Sequence, residues 1–130
     1  MNRNELDKRL RDLGIYSDFY MRKELKVLTQ LLEEGEELNC ILTGVHEANR
    51  KMLAVTDRRL IIIFAGALSA GQIKVICRSA VESSSFEKKF PFSKVRISLA
   101  NGEEYVFGNT QGSLKKLFEW AMQRPLPAGD

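Results

Sequence analysis

LAVTDRRLIIIF, residues 53–64, joins two apolar runs at a polar corner, Thr56-Asp57-Arg58-Arg59. The second run, Leu60-Ile61-Ile62-Ile63-Phe64, is too short to span a bilayer and too β-branched for an ordinary helix. It reads as a strand buried on both faces, at the centre of a sheet or barrel wall. The corner has no serine, cysteine or histidine nucleophile. A polar turn between buried strands must satisfy its own backbone groups. Thr56, Asp57, Arg58 and Arg59 are therefore expected to form a structural corner. One arginine is expected to pair with Asp57 or an acidic neighbour and the other to face solvent.

Strand signals continue on both sides of this stretch. Leu38–Glu47 reads as a first strand, with a turn at Ala48-Asn49-Arg50, and Lys51–Val55 and Leu60–Phe64 as the second and third. Gly66–Gly71 reads as a loop, Gln72–Arg78 as a fourth strand and Val81–Lys88 as a fifth. Ser93–Leu99 alternates, with Val95, Ile97 and Leu99 inward and Lys94, Arg96 and Ser98 outward. Asn101-Gly102 predicts a type I′ hairpin with positive φ at both positions, leading to a seventh strand at Glu104–Phe107. Thr110 or Ser113 is the expected cap of a last helix whose Leu114, Leu117, Phe118 and Ala121 recur on one face and which ends before Pro125.

The N-terminal segment is helical. Leu6, Leu10 and Leu13 mark a short helix stopped by Gly14. A second helix is expected to start at Ser17 or Asp18 and carry a stripe of Leu25, Leu28, Leu31 and Leu32. Glu33, Glu34, Glu36 and Glu37 oppose its macrodipole and should end it. The stripe packs on the domain's own sheet or meets a partner helix. The resulting expectation is one structural domain, with residues 1–37 a helical arm and residues 38–130 a strand-rich body closed by the last helix.

The chain has 130 residues, enough for one domain with a real core. Its net charge of +3 is uneven. Residues 1–37 carry 7 basic and 9 acidic side chains, and residues 38–130 carry 13 and 8. That bias is too small for a dedicated nucleic-acid binder. The start MNRNELDKRL has no apolar centre, so no leader is expected and a cytoplasmic location is the default. Cys40 and Cys77 are expected to be buried, reduced thiols. With one histidine, His46, and no ligand-spaced cysteines, neither a metal nor another cofactor is expected.

These features together resemble a known family. The helix ELKVLTQLLEEGE, the double strand LAVTDRRLIIIF, the strand VESSSFEKK, the hairpin KVRISLANGEEYVF and the closing helix resemble a bacterial pleckstrin-homology-like domain of the YokE-like group over residues 24–124. Residues 1–23 lie outside the resemblance. It implies a seven-stranded antiparallel barrel of two near-orthogonal sheets, capped by a C-terminal amphipathic helix, with no enzymatic activity. Domains of this fold bind lipid headgroups, peptides or proteins, and fold alone does not choose among them. Phosphoinositide-binding relatives use spaced basic residues around the first strand pair. This chain offers only Arg50 and Lys51 there, followed by Met52, Leu53 and Ala54, so the alternating pattern is absent.

The remaining surface candidate is Phe86-Glu87-Lys88-Lys89-Phe90-Pro91-Phe92. Exposed aromatics there enter a lipid interface while Lys88 and Lys89 meet anionic headgroups. The alternative sends Phe86 and Phe92 into the core, leaving Pro91 to shape a turn. The candidate ligand-binding residues are therefore Lys88, Lys89, Phe90, Phe92, Arg50 and Lys51. Two readings follow: a non-catalytic module that binds a protein partner or self-associates as a homo-oligomer, and a peripheral domain that docks on anionic membrane lipids. No paired acid and base, triad or phosphate loop supports catalysis.

Overall fold

The computed structural model describes residues 1–64 and 73–127. The loop expected at Gly66–Gly71 lies outside the described residues. Seven antiparallel strands form one hydrogen-bonded sheet: β1 Leu38–His46, β2 Asn49–Thr56, β3 Arg59–Phe64, β4 Ile73–Cys77, β5 Val81–Glu87, β6 Ser93–Leu99 and β7 Glu104–Thr110. Their order is β4-β3-β2-β1-β7-β6-β5, a single sheet where the resemblance implies two. β4 and β5 stand at opposite ends of that order, yet only the 3-10 turn Arg78–Ala80 joins them. Four chain steps reach at most about 14 Å, so the sheet must curl until its ends nearly meet.

β1 and β7 approach closely where they pair. Val45 faces Gly108 there, and a Cβ on Gly44 would lie 2.7 Å from Thr110 Cγ2 and 2.9 Å from Phe107 Cβ. Only glycine permits that approach. Among the described residues four helices accompany the sheet: α1 Arg3–Asp12, α2 Tyr16–Phe19, α3 Glu24–Leu31 and α4 Lys115–Gln123. Leu6, Leu10, Phe19, Leu25 and Leu28 share one core with Leu42, Leu53, Ile61, Phe107 and Phe118. The α3 leucine stripe is thus spent on the chain's own core. Arg9 ties the arm to β1, donating from Nε to Leu38 O at 2.7 Å.

Several local expectations change. The second helix is two pieces: Tyr16–Phe19 is separate, and α3 begins after Lys23 without a side-chain cap. α3 ends at Leu31, before the acidic cluster. α1 carries a capping box between Asn2 and Glu5 and is followed by Gly14 at φ +77. The first hairpin turns at Glu47-Ala48, not Ala48-Asn49-Arg50, with φ of 51 and 65, because His46 pairs directly with Asn49. A two-residue turn that follows strand twist needs positive φ at both central residues. Asn101-Gly102 does the reverse: only Gly102 is at positive φ, and Leu99 O accepts from Gly102 N–H at 3.0 Å in a three-residue loop.

β4 starts at Ile73 and stops at Cys77, where the 3-10 turn takes over. Neither Thr110 nor Ser113 caps the last helix, because a 3-10 turn, Gly112–Leu114, intervenes before α4. Cys40 is buried and its thiol is pushed up to about 12 by burial, whereas Cys77 is exposed. The difference follows from position, since β1 is central in the sheet and β4 is an edge strand.

Candidate functional site

Adjacent cations stand at the β2–β3 corner and at the β5–β6 connection. At the β2–β3 corner the cations are used internally. Thr56 Oγ1 accepts from the backbone N–H of Arg58 at 3.1 Å and of Arg59 at 2.8 Å, and donates to Glu36 Oε2 at 2.7 Å. Arg59 meets the same carboxylate twice, from Nε at 2.9 Å and Nη2 at 2.6 Å, and also reaches Leu31 O at 2.8 Å. Asp57 and Glu37 bond reciprocally: Asp57 N–H donates to Glu37 O, and Glu37 N–H donates to Asp57 Oδ1. Arg58 stays nearer solvent, 3.8 Å from Glu33 and 3.9 Å from Asp57.

Burial pushes the Glu36 carboxyl up, but hydrogen bonds from Arg59, the Glu33 backbone and Thr56 outweigh it and hold the group below its usual range. The Arg59 guanidinium is held above its ordinary value, chiefly by its hydrogen bond to Glu36. Sequence position alone gives Glu36 only an effect on the helix dipole. Its partner stands 23 residues away in the chain.

Between β5 and β6 the arrangement is the opposite. Phe86 is buried, with its ring 5.9 Å from that of Phe118. Phe90 is 100% exposed and Phe92 61% exposed. The reading that buried Phe92 together with Phe86 is therefore corrected: strand alternation ends at Glu87, and residues 88–92 no longer keep its parity. Lys89 Nζ lies 3.2 Å from Glu87 Oε2, and this contact lowers the Glu87 carboxyl. Lys88 has no carboxylate within salt-bridge distance among the described residues. The loop overhangs a hollow of about 460 Å³, whose far side is Ser93, Thr110 and Gly112.

Arg50 and Lys51 do not join this loop as one set. Lys51 is buried, its ammonium 4.5 Å over the Phe64 ring. It lines a separate cleft with His46, Glu47, Lys74 and Tyr105. His46 is occupied there too, Nδ1 lying 3.0 Å from Val106 O and Nε2 3.2 Å from Glu47. Arg50 Nη2 reaches Thr43 Oγ1 at 3.4 Å, and that hydroxyl also accepts from Gln111 Nε2 at 2.7 Å.

Among the described residues no group of three or more His, Cys, Asp or Glu is placed to hold a metal ion. No described helix is long and apolar enough to cross a membrane.

A family model described as a bacterial PH domain matches residues 32–122. Among solved structures, a pleckstrin homology domain from Shewanella amazonensis SB2B is similar, with 19% identity and a TM-score of 0.49, covering 77% of this chain and 96% of that one. No curated protein matches the chain.

Proposed function

The chain belongs to the bacterial PH domain family, and from that premise we propose that it is a non-catalytic interaction module that docks peripherally on anionic membrane lipids. The observation that carries this reading is the exposure of Phe90 and Phe92 beside Lys88 and Lys89. Solvent-facing phenylalanines on a loop tip gain free energy by entering the headgroup–acyl boundary. Neighbouring lysines add about 1 kcal/mol each at an anionic surface. The protein resides in the cytoplasm on this reading and moves reversibly onto the inner leaflet.

Co-sedimentation tests it, with vesicles of phosphatidylglycerol and phosphatidylcholine compared with phosphatidylcholine alone. The wild-type chain should partition onto the anionic vesicles. Lys88→Ala/Lys89→Ala should weaken binding by about thirtyfold, the equivalent of two such lysines. Equal partition of wild type and variant would remove the reading.

A second reading rests on a different surface. Tyr20 and Met21, between α2 and α3, are 42% and 79% exposed, an apolar tip on the helical arm. It suits a protein partner or a second copy of the chain. Analytical ultracentrifugation distinguishes self-association, and an invariant monomer mass at high concentration would discard it.

A further inference from the structure

We propose that the cleft beside Lys51 is a binding site for an aliphatic monocarboxylate, the anion of a medium-chain fatty acid. It shares no residue with the Lys88–Phe92 loop and stands apart from the proposed membrane contact. Strand alternation makes the site. Side chains two apart on a strand share a face. Leu53 and Val55, which follow Lys51 on its face of β2, are fully buried. The row they form ends in a cation where an apolar residue would continue the core. Register sets Phe64 opposite Lys51, and Ile62 opposite both Leu53 and Lys74. The cleft is therefore the open end of the core face, floored by Ile62 and Phe64 and walled by Tyr105.

Lys51 is 6% exposed and lines this cleft. Among the described residues its ammonium makes no ion pair and no hydrogen bond, and it rests over the Phe64 ring at 4.5 Å. A ring face attracts a cation, but it leaves the three N–H donors of the ammonium without an oxygen. A buried charge in that position is costly until an anion joins it.

The charges of the lining select the class of anion. Two ammonium groups, Lys51 and Lys74, accompany one carboxylate, Glu47, which lies 3.2 Å from His46 Nε2. With His46 neutral the surplus is one positive charge, which matches a monoanion and not the dianion of a phosphate monoester. Ile62, Phe64 and Ile73 offer the rest of the ligand an apolar surface. A single negative charge at the end of an apolar body is the form of a fatty-acid anion. The cavity is about 320 Å³, at the small end of ligand sites, so it suits a short or medium chain.

Amide NMR titration of the full chain with octanoate tests the site, with hexanoate, octanol, acetate and octyl phosphate as comparators. Octanoate should bind saturably with shifts at Lys51, Phe64 and Tyr105. Hexanoate should bind about fifteenfold more weakly, each buried methylene contributing about fourfold. Acetate, which lacks the apolar body, should give no saturable shifts at the same concentrations. Lys51→Met keeps an unbranched apolar stem and removes only the unpaired charge, so the fold should survive with its denaturation midpoint intact. The variant should bind octanoate at least about tenfold more weakly, the loss of one hydrogen bond to a charged group. Its affinity for octanol should be unchanged. No saturable shifts with octanoate, or shifts confined to Lys88–Phe92, would overturn the site. So would equal octanoate affinity in wild type and Lys51→Met, or octanol and acetate binding wild type as tightly as octanoate does. Octyl phosphate binding more tightly than octanoate would overturn the monocarboxylate as its ligand. None of these outcomes alters vesicle binding through Lys88 and Lys89, so the site and the membrane reading stand or fall separately.

Discussion

The Thr56–Arg59 corner and the Lys88–Phe92 loop look alike in sequence, each setting two adjacent cations at a turn between strands. In the folded chain they are opposites. At the corner, Arg59, Thr56 and Glu36 satisfy one another in a partly closed network that pins the segment after α3 to the β2–β3 turn. At the loop, Lys88 and the two phenylalanines are left without internal partners among the described residues. What distinguishes them is not the cations but the carboxylate. Glu36 is brought to Arg59 by the turn at Gly35, which has φ +79, and no equivalent acid is brought to Lys88. A basic pair whose acid is supplied by the fold is consumed by stability. Lys88, which no acid reaches among the described residues, remains free for a ligand, and Lys89 keeps only an exposed contact with Glu87.

The largest effect should come from breaking the corner. Arg59→Met leaves the Glu36 carboxylate, whose side chain is 0% exposed, without its cation. Removing one partner of a buried ion pair costs about 3–5 kcal/mol. Urea denaturation should show this as a large fall in midpoint, and a shift no bigger than that of a surface substitution would end the claim that the corner consumes its cations. Next in size is Gly44→Ala. The new Cβ would meet Thr110, Phe107 and the Gly108 carbonyl at 3.0 Å or less. Overpacking of this kind costs about 1–3 kcal/mol. The same denaturation measurement checks it, and an unchanged midpoint would mean that β1 and β7 are free to separate at this point.

The parts of the molecule that were legible in sequence are those governed by local periodicity. Val95, Ile97 and Leu99 alternate and are buried as expected, and LAVTDRRLIIIF gives β2 and β3 with their shared corner. Phe118 and Ala121 face the core because helical spacing dictates it. Local patterns do not carry across a break in the element. Phe86 and Phe92 have the same parity, yet only the first is buried, because the strand ends between them. The Glu36–Arg59 pair depends on tertiary approach. The break in β7 alternation at Asn109, beside Gly108, depends on its register with β6. The Lys51 ammonium is likewise placed over Phe64 by cross-strand register, which sequence spacing does not fix.

Acid should expose the same contrast more gently. Glu36 titrates below its ordinary value of 4.5 in the folded chain, so the unfolded state takes up its proton first. Its stabilising contribution is full above that ordinary value and is lost as pH falls through the folded one. Thermal midpoints should therefore decline as pH falls below that ordinary value. Glu36→Gln should lower the midpoint at neutral pH and flatten the decline, and an equally steep decline in the variant would place the acid sensitivity elsewhere. The two thiols offer a smaller, chemical version of buried against exposed. Cys77 should react with a thiol reagent in the native protein, while Cys40, buried and pushed up to about 12, should react only on unfolding. Two equivalents of fast labelling without denaturant would contradict the placement of Cys40.

The smallest effect on stability, and the one that completes the comparison, belongs to Lys88→Ala/Lys89→Ala. Lys89 and Glu87 form an exposed pair, with side chains 67% and 44% accessible, and pairs of this kind hold little of a fold together. Lys88 contributes no ion pair among the described residues that the substitution would break. The denaturation midpoint should stay at the wild-type value. Binding to anionic vesicles should fall, and the binding that remains should lose most of its dependence on salt, because screening acts on the removed charges and leaves the phenylalanine contribution untouched. A destabilisation approaching that of Arg59→Met would show that the loop, like the corner, has its cations bound into the fold. The two turns would then differ in sequence position and not in kind, and the argument that an acid supplied by the fold decides the fate of a basic pair would fail at the site where it matters most.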